Sequence, residues 1–256
     1  ELEFDRSLYE FFASGQVVDD SESLVATWSS QEQCWVFAVE RDTNNLTPAE
    51  EKEHHELVTA AKLKELKAWH DLGAWQPVPK PQGVNPMSGR WVLKWKYVDG
   101  ARIVKARLVI RGFLDKQQSN LDTTSFTARR TSQRLVVSVV VQHGWELFSW
   151  DISNAFLQGM TFKEIAQSTD QPLREVCLDP PADVYPLLRH FGSQYKSCSK
   201  LTSFLKLLKG AYGLKDAPKL WKKRLEQELV RHGGKQSHLD QCVWYFYKDK
   251  RDSGPL

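Results

Sequence analysis

Cysteine is scarce in this sequence and poorly placed for chemistry. Cys34, Cys177, Cys198 and Cys242 are scattered through 256 residues, with no Cys-x-x-Cys pair and no histidine at ligand spacing. That argues against a zinc module and against a disulfide framework. It makes a reducing compartment the expectation: intracellular, cytoplasmic or nuclear, and not secreted. Long apolar runs are also lacking. The longest, residues 135–141, is far too short to span a bilayer, so no membrane partner is expected. No signal-peptide pattern and no internal repeat stand out. The first residue is Glu1 and not a methionine, which leads us to expect a piece of a longer protein. Charge of one sign is not in excess, since the net charge is +3. Contact with nucleic acid would therefore need a local basic patch.

Hydrophobic residues make up 41% of the chain and charged residues 26%. This predicts a globular chain with a real core, as one large domain or two small ones. Residues 1–46 are weakly patterned and read as a linker or partly ordered arm, with a short strand or docking segment near Trp28 and Trp35. In the arm, Val17-Val18-Asp19-Asp20 reads as a linker turn. Thr47, Pro48 and Glu50 form a helix start with a capping box. That helix is expected to run to about Asp71 and stop at Gly73, with Leu57, Leu63, Leu66 and Trp69 on its apolar side. His54 and His55 are expected to face solvent. Residues 75–90, rich in proline and glycine, read as a loop.

The clearest hairpin runs from Trp91 to Val98, turns at Asp99-Gly100, and returns from Ala101 to Gly112. Asp-Gly suits a two-residue turn, whose central positions both need positive φ. The turn sets the register: Trp91, Leu93, Trp95 and Tyr97 oppose Leu108, Ala106, Val104 and Arg102. The other face gathers Lys94, Lys96, Lys105 and Arg107. Like charges placed opposite one another destabilise a hairpin by a few tenths to roughly 1 kcal/mol. Such a face is either simply solvated or meets an anion such as a polyphosphate or a nucleic-acid backbone.

Residues 113–130 read as polar and turn-like. Residues 135–141 are β-branched enough for a strand, while the Thr131-Ser132 start and Gly144 allow a helix. Residues 160–200 read as a loop with short elements. A helix is expected after Asp216 as cap and Pro218 in its first turn, ending at Gly233-Gly234, with Trp221, Leu225 and Leu229 as a core stripe. Residues 241–247 read as a last strand.

The chain is organised around Trp150-Asp151-Ile152-Ser153-Asn154-Ala155-Phe156-Leu157-Gln158-Gly159. Before it, residues 145–149 alternate apolar and polar, as a half-buried strand does. An aspartate at a strand end is well placed for a hard cation that shares its site with substrate phosphates; it is also a common turn or helix cap.

Four segments, taken in order, resemble the reverse transcriptase of copia-type retrotransposon polyproteins. They are Lys105-Ala-Arg-Leu-Val-Ile-Arg-Gly112, the Asp151 stretch, Tyr212-Gly-Leu-Lys-Asp-Ala-Pro218 with Trp221, and Asp240-Gln-Cys-Val243. The resemblance covers roughly residues 50–247. It implies an α+β right-hand polymerase fold, with a ferredoxin-like palm and a fingers β-hairpin, over residues 47–256. It implies RNA-directed DNA polymerase activity, in which a primer 3′-hydroxyl attacks the α-phosphate of a dNTP with Mg²⁺, or Mn²⁺, steadying the oxygens. On that resemblance Asp151 is the catalytic carboxylate and a metal ligand, with the carbonyl of Ile152. Lys105 and Arg107 hold the triphosphate, and Phe156 lies under the sugar. Tyr212, Gly213, Lys215 and Pro218 line the pocket, and Lys94, Lys96 and Arg111 contact nucleic acid. The implied partners are dNTP, an RNA or DNA template with its primer, and other polyprotein segments such as integrase and RNase H.

The sequence departs from the family in three places. Asp216 stands where the family usually has Gln, and Thr127-Ala-Arg129 replaces a more apolar stretch. The family's Tyr-Val-Asp-Asp motif does not follow the Cys242 strand, so the fold is expected to be incomplete at the C-terminus. Asp249 and Asp252 are not adjacent and are poor substitutes. The expectation is a polymerase fragment that is inactive or nearly so by itself. The alternative is a catalytically dead nucleic-acid-binding remnant.

Overall fold

The computed structural model describes residues 22–29, 34–41, 44–80, 86–98, 100–117, 121–169 and 172–247. Val17 to Asp20, Asp249 and Asp252 lie outside the described residues. Contacts divide the chain into two units, Glu1–Ala61 with Val92–Ala106, and Lys62–Trp91 with Arg107–Leu256.

In the first unit β1 (Glu22–Ser29) and β2 (Cys34–Arg41) pair antiparallel, with Trp28 opposite Trp35. The expected capping box is present. The Thr47 amide donates to Glu50 Oε2 at 2.9 Å, and the Glu50 amide donates to Thr47 Oγ1 at 3.3 Å. The helix it starts is not continuous: α1 (Pro48–Glu53) breaks at His54, and α2 (His55–Asp71) follows. His55 is exposed as expected, but His54 is half-buried, edge-on to Trp95 at 5.1 Å. Trp95 also donates from Nε1 to Glu50 at 3.0 Å, and Arg102 lies 4.0 Å above its ring. The Thr47 amide and the Trp95 indole are the leading reasons that the Glu50 carboxyl sits below its usual range. Leu57, expected on the apolar side, is about half exposed, while Val58 is buried.

The hairpin strands are β4 (Pro86–Val98) and β5 (Ala101–Ile110). Asp99 lies outside the described residues; Gly100 has the positive φ, 79°, that the turn needs. Val104, Ala106, Leu108 and Ile110 are buried and alternate with exposed Ile103, Lys105 and Arg107. On β5 the apolar and basic faces are therefore those that the sequence pattern assigns; on β4 Leu93 and Trp95 are buried, but Tyr97 on the same face is exposed and Lys94 on the other is half-buried.

The second unit is built on a mixed sheet whose full strand order is β3 (Trp75–Pro79), β7 (Ser203–Leu207), β6 (Val176–Asp179), β4, β5. Residues 75–90 are not the loop expected. β3 (Trp75–Pro79) is a strand, and β4 begins at Pro86. The prolines are tolerated because β3 is an edge strand and Pro86 is the first residue of its own. Residues 160–200 also hold more than a loop: α4 (Phe162–Thr169), β6 (Val176–Asp179) and α5 (Val184–Leu188). β6 is parallel to β4 and antiparallel to β7 (Ser203–Leu207), an inner position that buries Val176, Cys177 and Leu178. Its four residues carry no alternation because both faces are covered. Leu66, Trp69, Leu108, Leu178, Leu205 and Leu207 form the centre of the core.

The ambiguous run resolves as a helix, α3 (Arg130–His143). Gly144 closes it in the left-handed conformation, φ 63°, and the Trp145 amide donates back to Val140 at 2.9 Å. No residue of α3 is buried. Residues 145–149 were expected as a half-buried strand. Instead they pair with no described strand, and every one is exposed. Alternation allows a strand, but a ladder partner is needed to make one. The last strand is shorter than expected: β9 is Trp244–Tyr245 alone, paired with β8 (Lys235–Gln236). α6 (Ala217–Arg231) stands where predicted, with Gly233 at φ 85° beyond its end. Its Trp221, Leu225 and Leu229 are only half-buried, and so are not core.

Candidate functional site

Within the second unit the Asp151 stretch has a defined local form. Asp151 and Ile152 are exposed. Asn154 has φ 54°, the only positive φ among the described non-glycine residues. Asparagine tolerates that conformation better than most residues. It turns the chain into a 3₁₀ turn, Ala155–Gln158, that buries Leu157. The turn is held by the Gln158 side chain, which donates to the Ser153 carbonyl at 2.8 Å. At its end Gly159 lies against the backbone of Leu220 and Trp221, where a Cβ would meet atoms at 3.1–3.2 Å. The Met160 amide donates to the Leu220 carbonyl at 3.2 Å. The sequence Asn-Ala-Phe-Leu-x-Gly thus docks the Asp151 stretch onto the first turn of α6.

Tyr212 is the meeting point of the site. Its hydroxyl donates to Asn154 Oδ1 at 3.3 Å. Its ring meets Phe156 edge-on at 5.6 Å, and the Arg107 guanidinium lies 5.4 Å from the ring centroid. Burial, with Glu65, pushes its phenol pKa up; Arg107 pulls it down, and Asp151 raises it again. The same phenol therefore feels Arg107 and Asp151 with opposite signs. Glu65 itself is buried and accepts from Trp69 Nε1 at 3.0 Å and from the Leu108 amide at 3.3 Å.

The Tyr212 segment is held against the end of β5. The Ile110 amide donates to the Tyr212 carbonyl at 2.8 Å. Gly213, at φ 93°, presses on the Ile110 carbonyl, and Gly112 presses on the Gly213 carbonyl. Neither position has room for a Cβ, so the two backbones approach more closely than side chains would allow. Arg111 donates from its amide to the Ser88 carbonyl at 2.9 Å and from Nη1 to Ser88 Oγ at 3.3 Å. Lys215 is exposed. Pro218 and Phe156 line an apolar groove of about 360 Å³ with Phe126, Trp221, Leu225 and Trp244.

Of the residues singled out from the sequence, the second unit brings Arg107 and Phe156 to the Tyr212 ring, with Gly213 next to it in the chain, and links Asp151 to them only through its charge acting on the Tyr212 phenol. Ile152, Lys215 and Arg111 are exposed nearby in sequence but have no described contact with this group. Lys94, Lys96 and Lys105 belong to the first unit, where Lys96 and Lys105 are exposed and Lys94 is half-buried.

Asp216 does not cap α6. It stands at the N-cap position, but its side chain makes no capping bond and instead receives Arg174 Nη1. Arg174 Nη2 binds Asp115. Sequence reasoning missed Arg174, Asp115 and the apolar groove. None has a local pattern that marks it in the sequence.

A two-metal centre needs several convergent carboxylates. Among the described residues no group of three or more His, Cys, Asp or Glu could hold a metal ion. Asp151 alone does not make such a centre.

Residues 73–175 match the family described as reverse transcriptase (RNA-dependent DNA polymerase). That match includes Arg107, Asp151 and Phe156 but not Tyr212. The chain is 31% identical over 192 residues to the Retrovirus-related Pol polyprotein from transposon RE1 of Arabidopsis thaliana. It is 30% identical over 192 residues to that from transposon RE2 of the same plant. It is 27% identical over 188 residues to that from transposon TNT 1-94 of Nicotiana tabacum. These alignments take in 72–73% of this chain but only 12% of each relative. No solved structure matches. The resemblance read from the ordered motifs thus stands: the chain is related to the reverse transcriptase region of copia-type Pol polyproteins.

Proposed function

We propose that this chain, related over about 73% of its length to retrotransposon Pol polyproteins, is the nucleotide-binding part of an RNA-directed DNA polymerase. The observation that carries the reading is the arrangement at Tyr212. One ring is flanked by the Arg107 guanidinium and by Phe156, and its phenol also feels the Asp151 carboxylate.

The roles follow from the chemistry of a dNTP. Arg107 is exposed and always charged, and its planar fork suits phosphate oxygens. Phe156 and Tyr212 offer an aromatic floor to the sugar and base. Phe156 would also crowd a ribose 2′-hydroxyl. Gly213 lets the pocket wall lie close to β5. Lys215 and Pro218 extend that wall. Lys105, Lys94 and Lys96 of the first unit, and Arg111 of the second, are proposed contacts to phosphates of dNTP or of template and primer.

In this reading β4 and β5 are the fingers hairpin, and the α+β second unit is part of a palm. Asp151, with the Ile152 carbonyl, is the protein's contribution to a site for Mg²⁺ or Mn²⁺. A metal ion held there would supply charge stabilisation to the phosphate oxygens. Among the described residues no group of three or more His, Cys, Asp or Glu completes such a site around it. The 256-residue chain by itself is therefore expected to bind without catalysing. Its proposed partners are template, primer and the other segments of a Pol-type polyprotein, including integrase and RNase H, within the cell. The lack of a carboxylate cluster among the described residues equally favours a second reading, a binding remnant without catalysis.

A primer-extension assay separates these readings from an active enzyme. The 256-residue chain with Mg²⁺ or Mn²⁺ is expected to give no extension above background. It should still bind primer–template with steep salt dependence. Robust synthesis that Asp151→Asn abolishes would contradict the inactivity. Absence of binding at low salt would contradict both readings.

A further inference from the structure

Arg174, Asp115 and Asp216 form a buried ionic cluster in the second unit, with 9%, 3% and 6% of their surfaces exposed. Arg174 sits just before β6, the inner strand, and its guanidinium lies 5.3 Å from the Phe162 ring. One arm of the fork reaches Asp216 and the other Asp115. Asp115 closes the 3₁₀ turn Gly112–Leu114 that follows β5, and Asp216 precedes α6.

The two segments that Arg174 joins are the two that build the site. They are fastened at one end by the Ile110 amide on the Tyr212 carbonyl, and in the middle by the contact of Gly112 with Gly213. Arg174 is the fastener at the other end. Without it, two aspartate carboxylates would be left buried beside each other, and they would push the segments apart.

The cluster is not built for stability alone. Arg174 Nε and Asp216 Oδ1 are buried without a hydrogen-bond partner, beside a cavity of about 80 Å³ that Lys219 and Lys223 also line. A buried ion set with unmet groups is a costly way to fill space, and its best-attested use is to fix register. We propose that Arg174 is a positioning residue: it ties Asp115 to Asp216 and so holds the Tyr212 segment in register with the Arg107 strand. The consequence for nucleotide binding rests on the function proposed above. The Asp216 carboxylate, which stands where the family usually has Gln, is turned into Arg174.

The test is carried out on the full 256-residue chain with two variants, Arg174→Met and Arg174→Lys. Hydrogen exchange is followed in peptides covering residues 108–115, 211–217 and 203–207, and binding of dATP is measured in parallel. Arg174→Met is expected to speed exchange by about tenfold or more in the first two peptides and to leave 203–207 unchanged. It should weaken dATP binding by about tenfold. Arg174→Lys, which keeps the charge but not the fork, should recover part of both effects. If Arg174→Met does not fold, Arg174→Lys still decides the matter through the same local pattern. Equal acceleration in all three peptides, or none, overturns the proposal. If the unmodified chain binds no dATP, the nucleotide reading fails, and the exchange pattern alone still decides whether Arg174 sets the register.

Discussion

Two stretches of the second unit have similar apolar character and opposite fates. β6 and β7 bury Val176, Leu178, Leu205 and Leu207 almost completely. α3 and residues 145–152 bury nothing, and they expose Leu135, Val141, Phe148 and Trp150 at 62%, 74%, 69% and 89%. What differs is the supply of partners. β6 lies between two ladders. α3 is fastened at its ends: the Gly144 cap closes one, and at the other Asp240 accepts from the Arg129 amide at 2.8 Å. Apolar sequence becomes core only where the topology provides a facing surface. Asp151 stands at the exposed end of this stretch, for which the described residues provide no such surface.

The largest expected effect breaks or confirms this contrast directly. Leu205→Ala should cost about 2–5 kcal/mol in urea unfolding, as deletions in a closed core do. Val141→Ala should stay within roughly 0.5 kcal/mol. Equal losses at both positions would mean that α3 is packed after all.

Next in size is the glycine contact beside the site. Gly213→Ala must hold an alanine at φ 93° against the Ile110 carbonyl. A cost of roughly 1–3 kcal/mol is expected, with loosened protection of the Ile110 amide. A neutral substitution would show that the two backbones do not meet as described.

The smallest effect concerns the fastening of α3 and is read from pH. The Ser132 hydroxyl and the Cys242 and Arg129 amides hold the Asp240 pKa down to about 2. A depressed folded pKa contributes stability above the ordinary aspartate pKa of about 3.9 and loses it as pH falls toward the folded value. The stability difference between the unmodified chain and Asp240→Asn should thus be full at neutral pH and vanish between about pH 4 and pH 2. A difference independent of pH would remove Asp240 as the fastener.

Local rules were legible in the sequence. The capping box at Thr47 and Glu50 and the alternation of β5 depend on neighbours a few residues apart, and both stand as predicted. The resolution of 135–141 as a helix turned on Gly144 and not on β-propensity, because a capped helix satisfies its own backbone. β3 was hidden by its prolines and β6 by its shortness, since nothing in either stretch reveals an edge or an inner position. Residues 145–149 alternate without being a strand, because alternation does not supply the ladder partner that a strand needs. At the candidate site, Arg107, Asp151, Phe156 and Tyr212 stand out in the sequence through their motifs. Arg174 was not found, because its partners lie 59 and 42 positions away. Asp216 was misread as a cap for the same reason.

The central claim is that Arg107 and Asp151 address one nucleotide pocket around Tyr212. It is tested most directly by the dissociation constant of dATP measured without divalent metal, for the unmodified chain, Arg107→Ala and Asp151→Asn. Removal of the cation should weaken binding by about tenfold or more, and removal of the carboxylate that repels the triphosphate should tighten it. If Asp151→Asn leaves binding unchanged while Arg107→Ala weakens it, the two residues do not share a pocket; if neither matters, there is no nucleotide site at Tyr212.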